Sequence, residues 1–426
     1  MNTFDFFLLL FDYPQSYILS LFLALILFVI VSLKTTSSWL NPIRFQLFTF
    51  ALGVSVLIFL FLNHSVTLTT MSYVLSSIVI FWSVFLLIYR NTPRKVNITI
   101  DKEPYLSKYL FYYCYTIFII LTLISYIKLG IPLFGILDEK SRLSTYTGTG
   151  LGFISRISPI LNLYSTFFII HLLHSKRKTK NRFLGIILLL PLLIIGVLSG
   201  SRSSFLSIIF IFWGYRTMYV QQEPKAINYK YLILIFVFFS LFSFSFQSNS
   251  DLNQSSYLFF ERSVAAGDIY WESLPDDNWK NVIVKSPVLY SLAGFFGPLR
   301  IIDATKLEPP IGFQLTALVF PERTDYNTGP VALFPIYTLI CFGSIFGLII
   351  TIAQALIAAL LLKLTFIRSK SIIVCSLSFY LFSSYLYFFG DLSAAFGMLF
   401  ETIAGLIFFG MIWIWVYLTN YKELYE

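Results

Sequence analysis

The sequence predicts an all-α, polytopic integral membrane protein, and three observations predict it. Its 426 residues are 57% hydrophobic and 19% aromatic but only 12% charged, a mix far from that of soluble domains. The apolar residues fall into runs of the length that crosses a bilayer, about 20 residues for about 30 Å of hydrocarbon. The basic residues gather in alternate connections between those runs, as the positive-inside rule describes.

About eleven spans follow from run length and breaks. The first, 16–33, stops at Lys34; the second, 45–62, begins past Arg44; the third, 71–89, stops at Arg90. The fourth, 109–130, begins past Lys108, and the fifth, 151–174, runs into the basic stretch "SKRKTKNR". The sixth, 183–199, and the seventh, 204–220, are joined by a tight turn around Arg202, and the eighth, 230–247, begins at Lys230. The ninth, 338–362, stops at Lys363; the tenth, 371–389, begins past Lys370; the eleventh is 395–418. The opening "MNTFDFFLLLFDYPQ" has two aspartates and no Lys or Arg, so it does not read as a removable leader.

The loops holding Lys34, Arg44, Arg90 to Lys108, Lys176 to Arg182, Arg216 to Lys230, Lys363 to Lys370 and Lys422 carry 19 of the 30 basic residues. Five acids stand among them, a net +14, while the remainder nets −5 and the whole chain +9. This places the N-terminus outside and the C-terminus in the cytoplasm. Net basicity here reports orientation, and no nucleic-acid partner follows from it.

One connection is long. Residues 248–330 make an 83-residue outer loop with ten acidic and six basic residues and twelve aromatics, among them Trp271, Trp279, Phe295, Phe296 and Tyr326. Loops of this length in a compact protein are usually functional. Gly and Pro punctuate its apolar pieces, which predicts short helices lying along the outer membrane surface, within a single membrane domain covering 1–426. The next apolar run, 331–362, would measure about 48 Å as one helix. Pro335 predicts a separate or kinked first segment near the outer face.

Cys114, Cys341 and Cys375 sit in apolar runs without CxxC spacing, and His64, His171 and His174 are the only histidines. Neither a disulfide framework nor a zinc centre is in sight. Any chemistry is therefore metal-free or uses a metal held by carboxylates, and no cofactor is expected. His171 and His174 border a basic loop and read as interface residues.

Charges at membrane depth are costly and call for a functional hypothesis with a named partner. Arg156 lies about a turn into the fifth span and Glu401 about two turns into the eleventh, at similar depth, which predicts an ion pair; structural glue between helices and a substrate contact are both open for it. Asp391 falls at the turn between the last two spans. Arg202 sits in "SGSRSS", among small residues. A headgroup anchor is one reading of it. The other is a pocket in which Arg202, Ser203 and the first amides of the next helix hold a diphosphate. In the long loop, Arg300 and the cluster "FPERTDYNTGP", with Glu322, Arg323, Asp325, Tyr326 and Asn327, combine rings with carboxylates and amides, the usual means of holding sugars.

The stretch "VLSGSRSSF" (Val197 to Phe205) and the region from "GPLRIID" through "FPERTDYNTGPVALFPIYTLICFGSIFG" (Gly297 to Gly347) resemble the Wzy-type polymerases of bacterial surface polysaccharide. The resembling parts cover about a fifth of the chain. The resemblance implies a GT-C-like glycosyltransferase of the bacterial inner membrane, joining undecaprenyl-diphosphate-linked oligosaccharide units, as in O-antigen, at the periplasmic face without a nucleotide. It implies Arg202 on the donor diphosphate, with Arg300 and Arg323 sharing that charge. The base would be Glu322, Asp325 or Asp391, with Arg156, Ser203, Tyr326, Asn327 and Glu401 on the substrate. The implied partners are the lipid-linked oligosaccharides, the bilayer, a chain-length regulator and a flippase. A flippase for the same lipids is a rival reading, though it would be expected to show repeats and short loops. A ligase for finished polysaccharide shares the same hydropathy plan.

Overall fold

The computed structural model describes residues 1–35, 38–89, 94–96, 103–132, 151–174, 179–199, 203–222, 264–303, 306–321 and 329–420. Among the described residues nine helices are long and apolar enough to cross a membrane, and no strand exceeds two residues. The chain is an all-α multi-pass membrane protein.

Helix α1 (Thr3–Asp12) opens the chain, followed by α2 (Pro14–Thr35), α3 (Pro42–Leu62) and α4 (Leu68–Ile88). Polar caps set three of these starts. Asn2 accepts the Asp5 amide at 2.7 Å, Asn41 accepts the Ile43 amide at 2.9 Å just before Pro42, and Thr67 caps α4. Next come β1 (Arg94–Lys95), α5 (Glu103–Leu129), α6 (Gly152–His174), α7 (Thr179–Leu198) and α8 (Ser203–Gly214), which continues as a π turn over Tyr215–Tyr219. Within the long loop, two 3-10 turns flank α9 (Asp268–Ser273), and α10 (Pro287–Phe296) and α11 (Ile311–Val319) follow. The chain closes with α12 (Phe334–Thr365), β2 (Ile367–Arg368), α13 (Ile372–Tyr385) with its 3-10 extension Leu386–Phe389, and α14 (Leu392–Thr419).

The nine long helices coincide with the expected spans one to six and nine to eleven. The expected seventh is divided between α8 and the π turn, and the eighth, 230–247, lies outside the described residues. Helix α1 was not expected. It is too short to cross, and it stacks buried Phe6 on Trp271 with ring centroids 4.3 Å apart.

Two expectations are corrected in part. Not all the loop helices lie along the surface: Ile269, Tyr270 and Trp271 of α9 and Ile311 and Leu315 of α11 are buried, and Gly267 sits directly against Val56 of α3, while Val288 and Leu289 of α10 are exposed. The apolar side chains of α9 are spent on the bundle, and α10 keeps an exposed apolar edge. The separate first segment expected of the following run is present over 334–342, but Pro335 does not cause the break. It occupies the first turn of α12, where its missing N–H costs nothing.

The break falls at Gly343 instead, with φ 71° and ψ −172°, backbone that is essentially reserved for glycine. Its effect is a reversal. Thr338 and Thr351 would be about 20 Å apart on a straight helix, yet their hydroxyl oxygens are 3.4 Å apart. The half-helix 334–342 therefore runs antiparallel to 344–365. Tyr73 of α4 meets Thr338 at 3.1 Å, and Ser77, one turn on, meets Thr351 at 3.1 Å. The inner end, Phe334, is fully buried and stacks on Phe81 at 4.3 Å and Phe50 at 5.4 Å. The chain thus enters the bundle, turns outward as a half-helix and re-enters at Gly343. Such backbone is tolerated at membrane depth because protein surrounds it.

At the other end of the bundle the basic connections meet. Strand β1 pairs in parallel with β2, Arg94 beside Ile367 and Lys95 beside Arg368, and the Ser369 amide donates to Met218 O at 3.3 Å.

Candidate functional site

The site lies where α13 hands over to α14. Gln354 of α12 donates to Phe388 O at 2.7 Å and to Gly390 O at 2.8 Å, which pins this turn beside α12. Asp391 then caps α14, its carboxylate accepting the Ala394 amide at 2.5 Å. Burial pushes this carboxyl up to about 6, against the amides of Ala394 and Ser393, which favour the charged form. A carboxyl so placed is suited to taking a proton near neutral pH.

Helix α10 covers the first turns of α14. A Cβ on Gly294 would run into Ser393 O and stand 2.7 Å from Gly397 N, so only glycine allows this approach. Phe295 meets Phe400 edge-on at 5.9 Å. Ser291 shares a 2.6 Å hydrogen bond with Tyr337 of the half-helix, and Tyr290 OH accepts the Ile311 amide at 3.0 Å. Asp391 lies within electrostatic range of Tyr290, Tyr337 and Cys341.

Helix α6 closes the other side. The Arg156 guanidinium sits 5.1 Å above the Phe400 ring, and Gly405 lies against Arg156 O and Ile160. The expected ion pair with Glu401 does not close to the roughly 4 Å of a salt bridge. The reason is helical phase: successive side chains diverge by about 100°, so a helix showing Phe400 to Arg156 turns Glu401 aside. Glu401 instead lies near Tyr380 and Tyr387, and the Arg156 charge still acts on it.

Of the expected site residues, the fold brings Arg156 of α6 near Glu401 on the third turn of α14, while Asp391 caps the same helix about 15 Å away along its axis. Arg300 is exposed, in a turn of φ 59° just past α10. Ser203 opens α8, its side chain outside the described atoms. Arg202, Glu322, Arg323, Asp325, Tyr326 and Asn327 lie outside the described residues. The flanks of the last five are placed: the Phe320 amide donates to Thr316 O at 2.9 Å, and Gly329 packs on Gly312.

Trp271 is removed from any sugar platform by its burial against Phe6. Trp279 holds Asp277 through its indole N–H at 3.2 Å. Sequence reasoning missed Glu272, a buried carboxylate that accepts from Thr316 Oγ1 at 3.1 Å, and missed the Ser291–Tyr337 and Gln354 contacts. Nothing in "DIYWES" marks Glu272. A polar Gln354 within an apolar run is a signal that intramembrane polar residues carry roles. Among the described residues no group of three or more His, Cys, Asp and Glu could hold a metal.

Comparison with protein-family models, with curated proteins and with solved structures found no match.

Proposed function

We propose that the protein is a glycosyltransferase of the bacterial inner membrane that polymerises undecaprenyl-diphosphate-linked oligosaccharide units into surface polysaccharide at the periplasmic face. The single observation carrying this reading is that Asp391 at the cap of α14 and, about 15 Å further along that helix, Glu401 with the Arg156 charge of α6 beside it all lie toward the same end of the bundle, where α10 covers α14. One cation and two carboxylates at one end of a membrane bundle suit a lipid diphosphate and an acceptor sugar. The end is the one opposite the basic loops, which the positive-inside rule assigns to the outside, leaving the C-terminus in the cytoplasm.

In this mechanism a sugar hydroxyl of the acceptor unit loses its proton to Asp391, with Glu322 and Asp325 as the other bases the sequence offers. Its oxygen bonds to the anomeric carbon of the donor, and the bond from that carbon to the diphosphate breaks. The leaving diphosphate keeps the electron pair and is held by Arg202, Arg300 and Arg323, with Arg156 at the sugar. A flippase delivers the substrate and a chain-length regulator acts on the product.

Deleting the gene and separating surface glycolipids on a gel tests the reading. A single repeat unit retained without the long ladder is the expected outcome. Loss of the single unit as well would point to flipping or ligation, and an unchanged ladder would refute a role in glycan assembly.

A further inference from the structure

At the basic end of the bundle, remote from α10 and the α13–α14 turn, a cavity of about 370 Å³ opens among α5, α6, α7 and the stretch before α13. Ligand clefts begin at about 300 Å³. Its polar lining is Ser107, Lys108, His171, Asn181 and Lys370 together with Tyr112 and Tyr219, and no described lining residue is acidic. Phe111 and Phe168, stacked at 4.6 Å, make its apolar wall.

Three features point to an anion. Ser107 is fully buried, and its hydroxyl oxygen has no hydrogen-bond partner among the described residues. A buried hydroxyl is rarely left unsatisfied unless a ligand or water completes it. Lys108 and Lys370 bring two ammonium groups to the same cavity. Helices α5, α7 and α13 all begin here, so Ser107, Asn181 and Ile372 lie in or near first turns, where amide dipoles favour negative charge. Helix α6 and the π turn end nearby with the opposite dipole, so the lysines decide the sign.

We propose that this cavity binds a phosphate group, presented by the headgroup of an anionic phospholipid. Ser107 and Asn181 hydrogen-bond its oxygens, and Lys108 and Lys370 neutralise it. The route is lateral: α7 is the least buried of the long helices, with Phe183, Ile186 and Leu190 exposed beside Asn181, so an acyl chain can lie against it while the headgroup enters. Basic pockets between membrane helices at headgroup level bind anionic lipids on these terms.

The test is thermal unfolding of the purified full chain in a neutral detergent, with added phosphatidylglycerol, phosphatidylcholine or inorganic phosphate. Phosphatidylglycerol should raise the Tm and phosphatidylcholine should not. The doubly substituted Lys108→Gln, Lys370→Gln protein should need about tenfold or more phosphatidylglycerol for the same shift. Lys95→Gln, on the same face but outside the cavity, should need no more than the wild type. Both lysines of the pair are exposed, and the unfolding of the lipid-free variant checks its fold directly. A shift with inorganic phosphate alone, lost in the double variant, would keep the phosphate site and overturn the lipid as its source. No shift in the wild type with either anion, or equal shifts in all three proteins, would overturn the proposal.

Discussion

Cysteines placed at Thr338 and Thr351, in a chain whose Cys114, Cys341 and Cys375 are changed to Ser, test the reversal at Gly343. The two threonine hydroxyls are 3.4 Å apart across the fold-back. An unbroken helix would separate these positions by about 20 Å, and a disulfide requires Cα atoms within about 7 Å. Oxidation in membranes followed by maleimide-polymer labelling counts the remaining thiols. The folded-back chain should take up no label after oxidation and two after reduction, while each single-cysteine variant takes up one in both conditions. Adding Gly343→Ala makes the reasoning quantitative. No atom lies within 4 Å of a Cβ at that position, so the cost is conformational rather than steric. Backbone of this kind costs a non-glycine residue about 1–3 kcal/mol, which lowers the folded-back population relative to the extended one by about 5- to 150-fold. Cross-linking should slow accordingly. Two free thiols after oxidation of the chain that keeps Gly343 would refute the reversal, and an unchanged rate in the Gly343→Ala chain would refute the glycine's part in it.

Three further outcomes are expected. Gly294→Val drives a side chain into Ser393 O and Gly397 N; it should cost about 1–3 kcal/mol by overpacking, read as a lower Tm in detergent, and an unaltered Tm would contradict the close approach of α10 and α14. Asp391→Asn keeps a good helix cap but removes the base. The wild type, whose Asp391 carboxyl is pushed up to about 6, should polymerise faster as pH rises through that value because the carboxyl must be ionised to accept a proton; the Asn variant should be slow and lack that limb, and a preserved limb would exclude Asp391. Arg202→Ala should abolish polymer while the protein still inserts, and Arg202→Lys should rescue little if the diphosphate is held bidentately; full polymer from the Ala variant would remove Arg202 from the site.

The residues that made the site legible were those whose cost is local. A charge such as Arg156 or Glu401 in an apolar run is conspicuous whatever surrounds it, since hydrocarbon penalises it regardless of partner. Asp391 was legible for the same reason, and its cap role fits its place before a long run. Glu272 and Ser291 were not, because they sit in a mixed, polar-looking loop and gain meaning only from Thr316 and Tyr337, residues 44 and 46 positions away. The Arg156–Glu401 expectation went astray on phase: equal depth is readable from run lengths, whereas the facing side of each helix is set by packing.

By itself the sequence determined that the chain crosses a membrane many times, where most crossings lie and which connections are basic. A bilayer imposes its thickness on every run and satisfies no backbone group, so length and composition alone decide a span. Only the tertiary structure decided that α12 doubles back at Gly343, that α9 is buried in the bundle, and that α10 brings its glycine onto α14. Between helices in lipid, one apolar surface is nearly as good as another. The choice therefore falls to close packing and to a few hydroxyl pairs such as Tyr73–Thr338 and Ser77–Thr351, whose partners are 265 and 274 residues apart and invisible to any local reading.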